Sequence, residues 1–182
     1  MNAFGQFFVN YGEYHHNKVN MIIHVICIPQ IIMSLMGLLH PINYLIPIIG
    51  WDLLLVGSTT YLYVITEKTV GILTAVWLWA SLVFVRTMYI YAKNEHSEGT
   101  LFKYFLCQHI FAWVLQFIGH GLFERRSPAL VDNLLLVLNA PFFVTAELLK
   151  LIGWKKEEFV AIDKEIKQRV LNFHGSSKSS MK

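Results

Sequence analysis

The polar residues of this chain are few, and they gather at the edges of long apolar blocks. From Val19 to Trp51 there is no Asp, Glu, Lys or Arg, and crossing the hydrocarbon core of a bilayer takes about 20 mainly apolar residues. The first block, Val19 to His40, is long enough to span; Pro29 inside it removes one backbone donor, and His40-Pro41-Ile42-Asn43 predicts the turn that ends it. A second block runs from Tyr44 to about Thr66, a third from Val70 to Ala92, a fourth from Tyr104 to Phe123 and a fifth from Leu130 to about Ile152. Glu67-Lys68, the polar segment Lys93 to Lys103, and Arg125-Arg126 with Pro128 mark the breaks.

The two ends differ from the middle. Asn2 to Asn17 is rich in Phe and Tyr, residues that favour the membrane–water boundary, and predicts an interfacial segment. Beyond Lys155, the apolar positions Phe159, Ile162, Ile166 and Val170 keep a helical period among charged residues, the pattern of an amphipathic surface helix. The Ser/Lys-rich residues 175–182 predict a disordered tail. The expected fold is all-α: a polytopic integral membrane bundle of about four or five spans or deep helices, formed by residues 1–174 as one domain. No internal repeat accompanies it.

Composition strengthens this picture. The chain is 55% hydrophobic and 15% charged, against about 25% charged in ordinary globular proteins, which excludes a water-soluble globule. The net charge of +3 comes from basic residues near block ends and in the tail; that placement suits anionic lipid headgroups and not nucleic acid, and it favours a cytoplasmic C-terminal tail. The first residues lack the basic start and small-residue cleavage site of a removable signal, so the first span is expected to target the chain. Cys27 and Cys107 lie inside apolar blocks and take structural roles. Two charges fall within blocks. An unpaired carboxylate at the bilayer centre costs about 2.5–3.5 kcal/mol, so Asp52 is expected near an interface or facing the bundle, and Arg86, near a block end, is placed to snorkel.

The remaining polar residues form two clusters. In a helix His16, Asn20 and His24 step by four and share a face, and so do Gln116, His120 and Glu124. Imidazoles and a carboxylate with open positions suit a non-haem Fe(II) that must meet O₂ and substrate, and helical bundles often build iron sites from facing helices. Intramembrane ionisable groups mark function by default, which singles out His15, His16, His24 and His120. The plainer reading, an interfacial or hydrogen-bonded imidazole, is taken for His40, His96, His109 and His174. Glu124-Arg125-Arg126 reads equally as the solvated end of a helix, and Asp132-Asn133 as a helix cap and first turn.

Taken together, Tyr14-His15-His16-Asn17, Asn20 and His24, then Gln116-Phe117-Ile118-Gly119-His120-Gly121-Leu122-Phe123-Glu124, Arg126, Pro128-Ala129-Leu130 and Asp132-Asn133-Leu134, resemble the Mpo1-like family, also called DUF962. The resemblance runs from the N-terminal segment to the fifth block; the middle blocks agree in hydropathy alone. It implies an Fe(II)-dependent dioxygenase of the endoplasmic reticulum membrane that shortens 2-hydroxy fatty acids by one carbon, cleaving C1 from C2 in the breakdown of phytosphingosine. By that resemblance Fe(II) is held by His15 or His16 with His24 and His120, and chelates the substrate's carboxylate and 2-hydroxyl. Asn17, Asn20, Gln116 and Glu124 then orient the imidazoles or add ligands. His120 and Glu124 take part in catalysis, and Arg126 neutralises the substrate carboxylate through paired N–H donors.

Rival readings remain at this stage. A di-iron hydroxylase or desaturase also sets histidines at helix ends, but its HxxxH and HxxHH boxes are absent. A non-enzymatic lipid-binding or structural membrane protein would use the histidines to line a polar interface. A small transporter should show repeated halves or broken helices around midplane charges, and Asp52 is the one hint of that.

Overall fold

The computed structural model describes residues 3–45, 50–124 and 138–179. The described residues are helical with no strand: α1 (Ala3–Gly12), α2 (Lys18–Leu39), α3 (Ile42–Leu45), α4 (Trp51–Thr66), α5 (Lys68–Asn94), α6 (Glu98–Ile118) with a π-helical turn Gly119–Glu124, α7 (Ala140–Leu151) and α8 (Lys156–Ser179). The protein is an all-α integral membrane protein. Three helical stretches, Lys18–Leu39, Lys68–Asn94 and Glu98–Glu124, are long and apolar enough to cross a bilayer. Their 22 to 27 residues rise about 33–40 Å, beyond the hydrocarbon thickness of about 30 Å.

The chain divides into two compact units, residues 1–22 with 118–182, and residues 23–117. In the second unit α4 and α5 form a tight antiparallel pair turning on one residue, Glu67, whose carboxylate accepts from the Val70 N–H at 2.7 Å and caps α5. Val56, Tyr63, Val70, Leu78, Leu82 and Val85 are buried in this unit, whereas Ile72, Val76, Val83, Phe84 and Ile90 of α5 are exposed. Apolar side chains exposed along a helix of spanning length face lipid. The 16 residues of α4 rise about 24 Å, which is short of a full crossing.

Gly71 sets the spacing of the α4–α5 pair. A Cβ at this position would collide with the Tyr63 carbonyl and the next backbone nitrogen, Val64 N, and backbone atoms cannot swing away. Small residues allow this kind of close approach between membrane helices. Gly71→Val is expected to destabilise the protein by about 1–3 kcal/mol through overpacking, read as a lower melting temperature in a fixed detergent. Gly57→Val in α4, where a Cβ meets nothing within 4 Å, is the control that should leave melting unchanged.

Asp52 is fully buried, and it is paired. Arg86 donates to both its oxygens, Nε to Oδ2 at 3.0 Å and Nη2 to Oδ1 at 2.8 Å. Asn43 donates to Oδ1 at 2.9 Å, and His40 lies 3.3 Å from Oδ2. Asp52 is thus buried and paired, and Arg86, whose side chain remains 39% exposed, supplies the partner that the sequence alone does not name.

In the first unit α1 places Phe4, Phe8, Val9 and Tyr11 in the core. Phe8 stacks on Phe143 at 4.6 Å and meets Phe159 edge-on at 5.0 Å. The N-terminal aromatics expected at the membrane interface therefore build a protein core with α7 and α8. In α7, a helix of 12 residues, residues 140–147 are all buried, whereas Leu148 and Leu151 are exposed; the described part of the fifth block is too short to span and packs its first two turns in the core. On α8, Phe159, Ile162, Ile166 and Val170 are the buried stripe its period predicts. That helix continues to Ser179, past residue 175 where the tail was expected to begin. The polar segment Lys93 to Lys103 shortens to residues 95–97, because α5 and α6 run into it from both sides.

Candidate metal centre

The connection from α1 to α2 delivers the first histidines. Backbone bonds from Glu13 to Val9, Tyr14 to Tyr11 and His15 to Gly12, at 3.0–3.1 Å, wind the chain tightly past the end of α1. His15 is thereby turned inward, and the residue is 3% exposed. The imidazole stacks on Tyr11 at 4.1 Å, and its Nδ1 is 2.9 Å from the Tyr11 carbonyl. A neutral imidazole donating through Nδ1 ligates through Nε2.

Asn17 starts α2 as its cap, its Oδ1 accepting from the Val19 N–H at 2.9 Å. His16 precedes the helix, so the expected helical stripe of His16, Asn20 and His24 holds only for Asn20 and His24. The Glu124 carboxylate occupies this helix start: Oε1 accepts from the Asn17 N–H at 2.8 Å and from Asn20 Nδ2 at 3.1 Å, and Oε2 pairs with His16 Nδ1. The unsatisfied N–H groups and dipole of a helix N-terminus favour an anion there.

His120 lies on the π-helical turn Gly119–Glu124, which alters the four-residue register assumed for Gln116, His120 and Glu124. Single π turns in α-helices are frequent at functional sites. The rings of His120 and His15 meet edge-on at 4.8 Å. Helix α2 runs unbroken past the division at Ile22 and carries His24 one turn beyond Asn20. The result is a group of three buried histidines, His15, His24 and His120, whose ligand nitrogens lie within 4.8 Å of one another.

This donor set fits a transition metal. With metal–nitrogen distances of about 2.0–2.1 Å, two imidazoles on one ion stand no more than about 4 Å apart, so the group needs to draw in by up to about 1 Å. Imidazole suits zinc, copper, iron and nickel alike, and the ligands do not select among them. Gln116, one turn before His120, is 4% exposed and has no hydrogen-bond partner at either amide atom among the described residues. Leaving a buried amide unmade is costly, so this side chain fits a site completed by a further polar group.

The sequence-derived residues thus separate. His15, His24 and His120 converge; His16, Asn17 and Asn20 meet on Glu124, which is not one of the converging residues. Arg126 lies outside the described residues, as do Arg125, Pro128, Asp132 and Asn133. His109 is fully occupied elsewhere: Trp113 Nε1 donates to its Nε2 at 3.0 Å, its Nδ1 is 2.9 Å from Ser34 Oγ, and Ser34 in turn donates to the Ile31 carbonyl. His40 is taken by Asp52. What sequence reasoning missed is the turn that brings in His15 and the π turn beneath His120; Gly119 and Gly121 around His120 are the local signal for the latter.

Glu124→Gln keeps an oxygen for Asn17 and Asn20 and loses the charge facing His16. Glu124 touches none of the converging histidines but fixes the start of α2, the helix that carries His24, so metal affinity is expected to fall by up to about 10–100-fold, the range for groups that position ligands, measured by competition with a chromogenic chelator. An unchanged affinity would limit Glu124 to capping α2.

Comparison with known proteins gives a consistent answer. Residues 1–152 match the family model described as "Mpo1-like: 2-hydroxy-palmitic acid dioxygenase Mpo1-like". The chain is 34% identical over 165 residues to "2-hydroxy-palmitic acid dioxygenase MPO1" of Saccharomyces cerevisiae, covering 88% of this chain and 89% of the yeast protein. No solved structure matches.

Proposed function

The chain belongs to the Mpo1-like family, and from that membership we propose that it is an Fe(II)-dependent dioxygenase of 2-hydroxy fatty acids. The observation that carries the metal assignment is the convergence of His15, His24 and His120, all buried, within 4.8 Å. Zinc has no redox chemistry, so an oxygenase built on these imidazoles needs a redox-active metal, and iron is the one we assign to it from the family membership. The substrate is amphiphilic, which agrees with a site in a chain of spanning helices, and we assign the protein to the endoplasmic reticulum membrane and to phytosphingosine breakdown.

The proposed reaction breaks the C1–C2 bond. A 2-hydroxy acid and O₂ give the acid one carbon shorter, CO₂ and water; O₂ accepts four electrons, all from the substrate, and no 2-oxo-acid co-reactant is needed. Bound Fe(II) supplies the centre at which O₂ and the hydroxy acid meet. His15, His24 and His120 hold it as neutral imidazoles, with the Tyr11 carbonyl orienting His15 through Nδ1. Glu124 fixes His16 and the start of α2, and Asn17 and Asn20 hold Glu124. Gln116, with an amide donor and acceptor both unmade among the described residues, complements the 2-hydroxyl of the substrate, and Arg126 is one of the basic groups assigned to the carboxylate charge.

The test is O₂ consumption by detergent-purified, Fe(II)-loaded protein supplied with 2-hydroxypalmitate. One pentadecanoate per O₂ is expected, with no turnover of palmitate and none after replacing iron by zinc. Folded, iron-loaded protein that forms no odd-chain acid would leave the non-catalytic lipid-binding reading in its place.

A further inference from the structure

The first unit contains a cavity of about 630 Å³, within the range of small-ligand sites. His15 and His16 line one part of it, and Met21, Ile166, Val170 and Leu171 supply an apolar wall. Five charged groups face it: Lys18, Lys150, Lys167, Glu147 and Asp163. Lys150 is committed, 2.6 Å from Asp163 and 3.7 Å from Glu147. Among the described residues, Lys18 and Lys167 have no carboxylate partner. Two uncommitted ammonium groups beside an apolar wall, with a candidate metal ligand at the same cavity, form a surface complementary to the carboxylate end of an acyl chain.

We propose that this cavity receives the carboxylate end of the fatty-acid substrate, with Lys18 and Lys167 as its carboxylate-binding residues and α8 as the wall that packs its first methylenes. This rests on the reaction proposed above. Lys18 is the first residue of the spanning helix α2, the level at which a membrane-dissolved fatty acid holds its own carboxylate, because charged groups stay at the interface. The family match ends at residue 152, and α8 begins at Lys156. The wall formed by Ile166 and Val170 is therefore furnished by a part of this chain outside the matched region, and it sets the fit of the substrate.

The experiment measures binding and turnover separately on the full chain in detergent. Binding of 2-hydroxypalmitate and of palmitate to metal-free protein is followed by equilibrium dialysis, and KM and kcat are followed on iron-loaded protein. Lys18→Gln/Lys167→Gln is expected to weaken binding of both acids about ten-fold or more, the range of one lost charge-assisted hydrogen bond, and to raise KM while leaving kcat and iron content unchanged. Lys164→Gln, on α8 and away from the cavity lining, should change neither. Ile166→Trp, which fills the cavity, should weaken binding of both acids with iron content retained; the lysine variant decides if this one does not fold. Lysine-dependent binding without odd-chain product keeps the cavity and removes the reaction. Product formation with Kd and KM indifferent to both lysines keeps the reaction and overturns the cavity assignment.

Discussion

His120→Ala protein is expected to purify without iron and to lose more than about a hundred-fold in turnover of 2-hydroxypalmitate, because a missing ligand should exceed the 10–100-fold typical of groups that only orient ligands. His15→Ala and His24→Ala should match it, since these three imidazoles converge. His16→Ala should differ. Its ring pairs with Glu124 and is 36% exposed as a side chain, so its loss should stay within 10–100-fold and leave a measurable iron content. Metal analysis of the four variants, next to their melting curves, decides the assignment. Iron retained in His15→Ala and lost in His16→Ala would exchange the two roles.

The second large effect is on stability and is asymmetric. Arg86→Met leaves Asp52, which is fully buried, as a carboxylate without its guanidinium; breaking a pair buried on both sides costs about 3–5 kcal/mol, and the loss is expected at the lower end of that range because the Arg86 side chain is 39% exposed and Asn43 still donates to the carboxylate. Asp52→Asn leaves the charge on Arg86, whose side chain is 39% exposed and can turn to water, so its cost should be smaller. The double variant should recover part of the loss of Arg86→Met, because no charge is then buried without a partner. Thermal melting in one detergent orders the three proteins. Equal loss in both single variants would mean that the unpaired guanidinium does not escape to water, and would overturn the asymmetry.

Much of the architecture was legible because the bilayer imposes a coarse demand. A stretch of about 20 apolar residues has few structural options in hydrocarbon, and α2, α5 and α6 follow directly from their blocks. The α8 stripe of Phe159, Ile162, Ile166 and Val170 was legible for a similar reason, since its charged neighbours leave one face to bury. The aromatic N-terminus was legible only in part. Phe4, Phe8 and Tyr11 suit an interface or a core by chemistry, and their packing against Phe142, Phe143 and Phe159 is visible only in the structure.

At the candidate centre the sequence by itself determined which side chains were available: histidines where ionisable groups are expensive, and Glu124 and Gln116 at a spacing that a helix gathers. It also marked His109 and His40 as ordinary, which Ser34, Trp113 and Asp52 account for. Only the tertiary structure showed that His15, and not His16, stands beside His24 and His120, that Glu124 closes the start of α2, and that Arg86 pairs with Asp52. The physical reason is that periodicity describes a regular helix. His15 and His16 stand in a turn before α2, and His120 on a π turn, where direction depends on the backbone's exit from one helix and on what packs against it.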